Sequence, residues 1–256
     1  MNPHRLPIFF PLLVLSLVLA ACAPSAPAVT IPVIDPSRPL SQQVTVTPMR
    51  FEEKVQGPNY TATADIPTIV GVDDPRVKAF NDLTYSIFQL FYGELKNALL
   101  EMPVEPITSG SSLDMKYTLV GPPGEIISIK YLVTGYVDGA DHPFHNTRTV
   151  NFNIDTGQVV MLDALFLPGA AYLPAISGYC SAELASRNIG FDLFTGGAEP
   201  LEENYMNWNI TADGLLITFD EYQVADYSAG QQTVTVPYSA LKDLIDPQGP
   251  LGKYVK

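Results

Sequence analysis

Two histidines stand three residues apart, His142 and His145, in a stretch that also holds Asp138 and Asp141. Imidazole nitrogens and carboxylates can make a mixed N/O metal site, and a catalytic zinc needs three such ligands and one open position. A His-x-x-His pair has fixed geometry on a helix. Here Pro143 lies between the rings and marks a loop, so the stretch is expected to make binding contacts rather than to catalyse. Its candidate contacts are Asp138, His142 and His145, and no metal or cofactor is expected. A second group gathers Asp220, Glu221 and Asp226 around Tyr222 and Tyr227. Paired carboxylates can hydrolyse glycosides. Tyrosines framed by negative charge can instead anchor a cationic protein or stack on sugar. Tyr222, Asp226 and Tyr227 are the candidates there.

The remaining motifs have structural readings. Asp155-Thr156-Gly157 matches the short aspartic-protease triplet, but such an enzyme needs two of them, and the triplet also reads as a hairpin turn. There is no Gly-x-Ser-x-Gly elbow and no phosphate-binding glycine loop. The expectation is a protein without catalytic activity. Cys180 shares a helical face with Leu173, Ile176 and Leu184, which predicts a buried thiol.

The elements that must carry these residues follow from periodicity. Strands are predicted over 45–55 and 59–70, with Ala62, Ala64 and Ile66 on one face and Thr61, Thr63 and Asp65 on the other. Asp74-Pro75 opens a helix reaching about Glu101. Val77, Phe80, Thr84, Ile87, Phe91 and Ala98 share one face, widened by Tyr85, Phe88 and Tyr92, and a stripe that broad must cover a sheet. Strands follow over 111–120, 125–138, 145–155 and 158–162, then a helix over 170–187. Asp213-Gly214 turns a hairpin over 207–219. Short strands over 222–226 and 232–237 and a closing helix over 239–245 complete the chain. Short connections predict antiparallel pairing. The fold class is α+β: antiparallel β-sheet packed against one long and one shorter helix.

The chain has 256 residues, 16% of them charged, and a formal net charge of −13. That balance excludes nucleic acid as a partner and favours a cationic one. The apolar run Ile8–Leu19 is too short to span a bilayer and ends in Leu19-Ala20-Ala21-Cys22, the bacterial lipobox pattern. Residues 1–21 are therefore expected to be a signal peptide and Cys22 the site of lipidation, anchoring the protein extracytoplasmically in the cell envelope. Removing residues 1–21 takes away Arg5 and no acidic residue, moving the charge from −13 to −14. Residues 22–46 read as a disordered Pro/Ala-rich tether. With Cys22 lipidated, Cys180 has no partner for a disulfide.

Residues 136–166, YVDGADHPFHNTRTVNFNIDTGQVVMLDALF, and 215–245, LLITFDEYQVADYSAGQQTVTVPYSALKDLI, resemble a known family. It is the extracellular domain of RsiV-type anti-sigma factors, also found as the accessory, non-catalytic region of PdaC-type peptidoglycan deacetylases. The shared features are the Gly-Ala-His-like loop, the Asp-Thr-Gly strand end, Leu-Asp-x-Leu-Phe, Tyr-x-Val-Ala-x-Tyr-x-x-Gly and Val-Pro-Tyr-Ser-x-Leu. The resemblance covers residues 50–247, by element order alone before 136. It divides the module into an N-terminal part (47–155) and a C-terminal part (156–247), with a tail over 248–256.

The resemblance implies an extracytoplasmic module. In the anti-sigma factors it binds lysozyme and triggers proteolytic release of a sigma factor; in the deacetylases a separate domain does the chemistry. Asp141 inserted between Ala140 and His142 is a departure from the family loop. Neither a sigma-binding segment nor a deacetylase domain is legible in this sequence. The expected function is a lipid-anchored binding module for lysozyme or another cationic envelope-directed protein. A peptidoglycan or glycan ligand is the first alternative, and a metal-dependent envelope hydrolase using His142 and His145 the second.

Overall fold

A computed structural model describes residues 34–101 and 110–254. Cys22, residues 1–21 and the first part of the expected tether lie outside the described residues.

Strand β1 (Thr47–Gln56) and strand β2 (Asn59–Thr68) form an antiparallel hairpin, Gln56 facing Asn59 and Thr47 facing Thr68. β2 buries Tyr60, Ala62, Ala64 and Ile66 and leaves the residues between them half-exposed, the alternation of a strand with one covered face. Helix α1 (Pro75–Glu101) starts where the Asp74 carboxylate accepts the Arg76 backbone N–H at 2.8 Å. Pro75 takes the first helical position, where a missing N–H costs nothing. α1 buries Val77, Phe80, Thr84, Ile87, Phe88 and Phe91, then Leu95 and Leu99. Tyr85, expected to widen this stripe, is exposed instead. Truncating a fully buried side chain such as Phe80 to alanine costs about 3–5 kcal/mol.

Because α1 carries the chain back along the sheet, strand β3 (Ser111–Leu119) pairs parallel to β2, with Tyr60 beside Ser111. This corrects the expectation of antiparallel pairing throughout. A connection containing a 27-residue helix is long enough for the parallel return that a hairpin turn forbids. Strands β4 (Ile126–Tyr136), β5 (Phe144–Asn153) and β6 (Gln158–Val159) continue antiparallel, so strand order follows chain order from β1 to β6. Ile129, Tyr131 and Val133 of β4 turn to the α1 side and join its core.

The other face of β4 and β5 carries the second half of the chain. Helix α2 (Tyr172–Ala185) packs against an antiparallel sheet of β7 (Trp208–Ile210), β8 (Gly214–Phe219) and β9 (Gln232–Pro237), followed by the short helix α3 (Tyr238–Leu241). Ile176, Cys180, Leu184, Leu215, Ile217 and Val234 are among the residues of this second core. Burial pushes the Cys180 thiol up to about 12, the inert environment its helical face predicts.

A buried amide network joins the sheets. Asn209 Nδ2 donates to Ser128 Oγ at 2.9 Å and to the Ile129 carbonyl at 3.0 Å. Ser128 Oγ donates to Asn151 Oδ1 at 2.6 Å, and Asn151 Nδ2 to the Trp208 carbonyl at 3.0 Å. Apolar packing alone would let the small sheet slide; these directional bonds fix its register on β4 and β5.

Residues 34–46, expected to belong to the tether, lie against the fold. Leu40 is buried in the first core, and Asp155 accepts from the Ser41 backbone N–H and hydroxyl, both at 2.8 Å. An apolar side chain with a core socket, and a carboxylate for the adjacent backbone, outweigh the local proline content. The same contacts give Asp155 a structural task. Among the described residues no helix is long and apolar enough to cross a membrane.

Candidate functional site

Two loops, far apart in sequence, meet at one end of the sheets. The first joins β4 to β5. Its base is set by Phe144, whose ring lies over Gly135; a Cβ there would come within 2.2 Å of the ring. At its start the Asp138 backbone N–H donates to Ser111 Oγ at 3.0 Å. The second loop joins β8 to β9 and was expected to contain a strand over 222–226. It forms no strand, because Val224 and Ala225 are buried side by side rather than alternating. Gln223 anchors it, donating to the carbonyls of Gly197 and Asn204, each at 3.0 Å.

These loops bring three rings together. His142 lies 4.1 Å from Tyr227 between ring centroids and 6.4 Å from Tyr222, and the two tyrosines are 5.7 Å apart. His142 Nδ1 is 2.9 Å from the Pro143 carbonyl, which only accepts, so Nδ1 carries a proton. In the neutral ring Nε2 is then the acceptor, and the Tyr222 hydroxyl stands 3.3 Å from it. The Tyr227 hydroxyl donates to the Pro143 carbonyl at 3.1 Å. Tyr222 is 55% exposed and has φ +65°, the one non-glycine residue in the left-handed region among those described. A bulky side chain held there is strained.

The acidic residues play distinct parts. Asp226 accepts the Ser228 N–H at 3.0 Å and hydroxyl at 2.6 Å, closing the turn that carries Tyr227; the Ser228 bonds hold this carboxyl below the usual range. Glu221 pairs with His145, Nδ1 to Oε1 at 2.9 Å. Beneath it Asp220 accepts from the Thr147 N–H at 2.9 Å and from Gln231 at 3.0 Å, yet burial raises its carboxyl. The sequence-predicted residues thus fall into an aromatic trio, His142, Tyr222 and Tyr227, and a neighbouring pair completed by Glu221. That pairing was not foreseen, since nothing in the local pattern aligns residue 145 with residue 221. Asp226 positions Tyr227, and Asp138 sits at the opposite end of its loop. Among the described residues no group of three or more His, Cys, Asp or Glu side chains is arranged to hold a metal ion. The two histidine rings turn to different partners.

Two sheets joined by a buried amide network, with the candidate residues on two loops and the first residues of β5, define an α+β scaffold that presents a loop-borne surface. Residues 163–239 match the profile of a family described as a protein of unknown function, DUF3298. This stretch contains α2, the small sheet, Tyr222 and Tyr227. A DUF3298 family member from Bacteroides fragilis has the same fold, with a TM-score of 0.60 at 13% identity over 83% of this chain and 97% of that one. A second, from Pseudomonas aeruginosa, gives 0.60 at 12% identity over 80% and 95%.

Among curated proteins, the peptidoglycan-N-acetylmuramic acid deacetylase PdaC of Bacillus subtilis is 29% identical over 147 residues, which is 56% of this chain and 31% of the deacetylase. An esterase of Mycobacterium tuberculosis is 33% identical over 109 residues, 41% of this chain and 47% of the esterase. The chain spans less than half the length of either relative.

Proposed function

We propose that this protein is a non-catalytic binding module of the bacterial cell envelope, anchored by lipid on Cys22, and that it captures a cationic envelope-directed protein of the lysozyme type. The observation that carries this reading is the trio of His142, Tyr222 and Tyr227, displayed on two loops beside Glu221 and Asp226, with one ring held in a strained backbone. Strain retained at an exposed aromatic residue points to selection for display rather than for stability. Aromatic rings inside negative charge form an anchor with steering for a basic partner, and the net charge of −13 acts in the same direction. PdaC is named for a reaction on peptidoglycan, and a module shared over 31% of its length fits a common place at the cell wall rather than a common reaction.

A second reading rests on the same rings: they form a platform on which peptidoglycan sugar can stack. Salt distinguishes the two. Calorimetric titration of the protein with a basic lysozyme should show binding that weakens from low to physiological ionic strength yet survives there, and that Tyr227→Ala removes. Binding of peptidoglycan fragments with little salt dependence, and none of lysozyme, would favour the second reading. Binding of neither would overturn both.

A further inference from the structure

We propose that a separate cleft, on the flank of β5, binds a small amphiphile with a cationic head and an apolar tail. The cleft encloses about 740 Å³, a size typical of small-molecule sites. Leu83, Ile87 and Leu90 of α1 form one wall, and Met206 and Trp208 the other. β5 lines the space between them from Arg148 to Asn151. None of the aromatic trio contributes.

Two observations set the ligand's chemistry. The first is unburied apolar surface: Leu90, Val159, Met161 and Met206 all line the cleft and are 51%, 46%, 62% and 58% exposed. Large apolar side chains left exposed together mark a surface that something covers. The second is charge. Asp163, Glu202 and Glu203 line the same cleft against Arg148 alone, so an anionic head would meet net repulsion and a neutral one would leave the field unused. An elongated apolar group seated between α1 and Met206, with its cation at the carboxylates, satisfies both.

Trp208 is the only tryptophan in the chain, so its fluorescence reports on this cleft. The test compares decyltrimethylammonium, decyl maltoside and decyl sulfate, each below its micelle-forming concentration, by Trp208 emission, calorimetry and thermal stability. The cationic probe should bind saturably at one site, shift the emission and raise the melting temperature. Combined Leu90→Ser and Met206→Ser substitutions, both at exposed positions, should leave the melting temperature of the free protein unchanged and weaken binding about tenfold or more. Glu202→Lys with Glu203→Lys should transfer the preference to decyl sulfate. The proposal is overturned by equal binding of all three probes, by a preference that ignores the Glu202 and Glu203 substitutions, or by the absence of both heat and emission change.

Discussion

Two places in this molecule gather tyrosines around acid, and they are built to opposite ends. On the α1 side, Glu53 accepts the hydroxyls of Tyr60 and of Tyr92, the latter at 2.5 Å, while Lys96 donates to the Tyr60 hydroxyl at 2.6 Å and lies over its ring. Both tyrosine hydroxyls are taken by Glu53 Oε2, and Tyr60 is fully buried. At the loop end, Glu221 is taken by His145 and Asp226 by Ser228, which leaves the rings of Tyr222 and Tyr227 tilted against each other and against His142, outside either core. The same residue types close one region and open the other. What separates them is where the carboxylates point: at the tyrosines in the first, at the backbone and a histidine in the second.

The comparison breaks most visibly through stability. Tyr60→Ala should destabilise by about 3–5 kcal/mol, through lost burial and the loss of one of the two hydroxyls that Glu53 accepts, read as a fall in the denaturant midpoint. Tyr227→Ala should leave that midpoint in place and weaken lysozyme binding by more than about tenfold. If the two substitutions have matching effects on stability, the distinction fails. Tyr222→Gly is the sharper probe: glycine accepts positive φ without strain, so the protein should gain about 1 kcal/mol while losing the ring and its binding.

Acid titration gives the smallest effect and separates the regions by sign. The Tyr60 and Tyr92 hydroxyls lower the Glu53 carboxyl, so its stabilisation is present above the ordinary glutamate range and is lost as pH falls through the depressed value. Burial raises Asp220, so its contribution is fully present below the ordinary aspartate range and is lost as pH rises through the raised value. Glu53→Gln should therefore flatten the acid limb of the stability profile, and Asp220→Asn should steepen it. Shifts of the same sign for both would contradict these environments.

Much of the scaffold is legible in the residues, because alternation and helical spacing are local. The Asp74-Pro75 start, the α1 stripe and the β2 faces could be read directly. The parallel pairing of β2 with β3 could not, since it depends on where a long helix delivers the chain. The fold of residues 34–46 was hidden by their proline content; a single buried leucine and a distant aspartate decide it. The site was half legible. Residue type singled out His142, Tyr222 and Tyr227, but their meeting rests on the amide network that docks β7 on β4 and β5, and on Gln223 anchoring its loop. Those are contacts between residues roughly 20 to 80 positions apart, which carry no short-range signature.

The central claim is that the loop rings, and not the closed tyrosine network, meet the partner. It is tested most directly by following the histidine ring resonances of isotope-labelled protein during titration with unlabelled lysozyme at physiological salt. The account predicts that the His142 ring signals shift or broaden saturably, while the ring signals of Tyr60 and Tyr92 stay in place. Saturable binding that leaves His142 unmoved would contradict it.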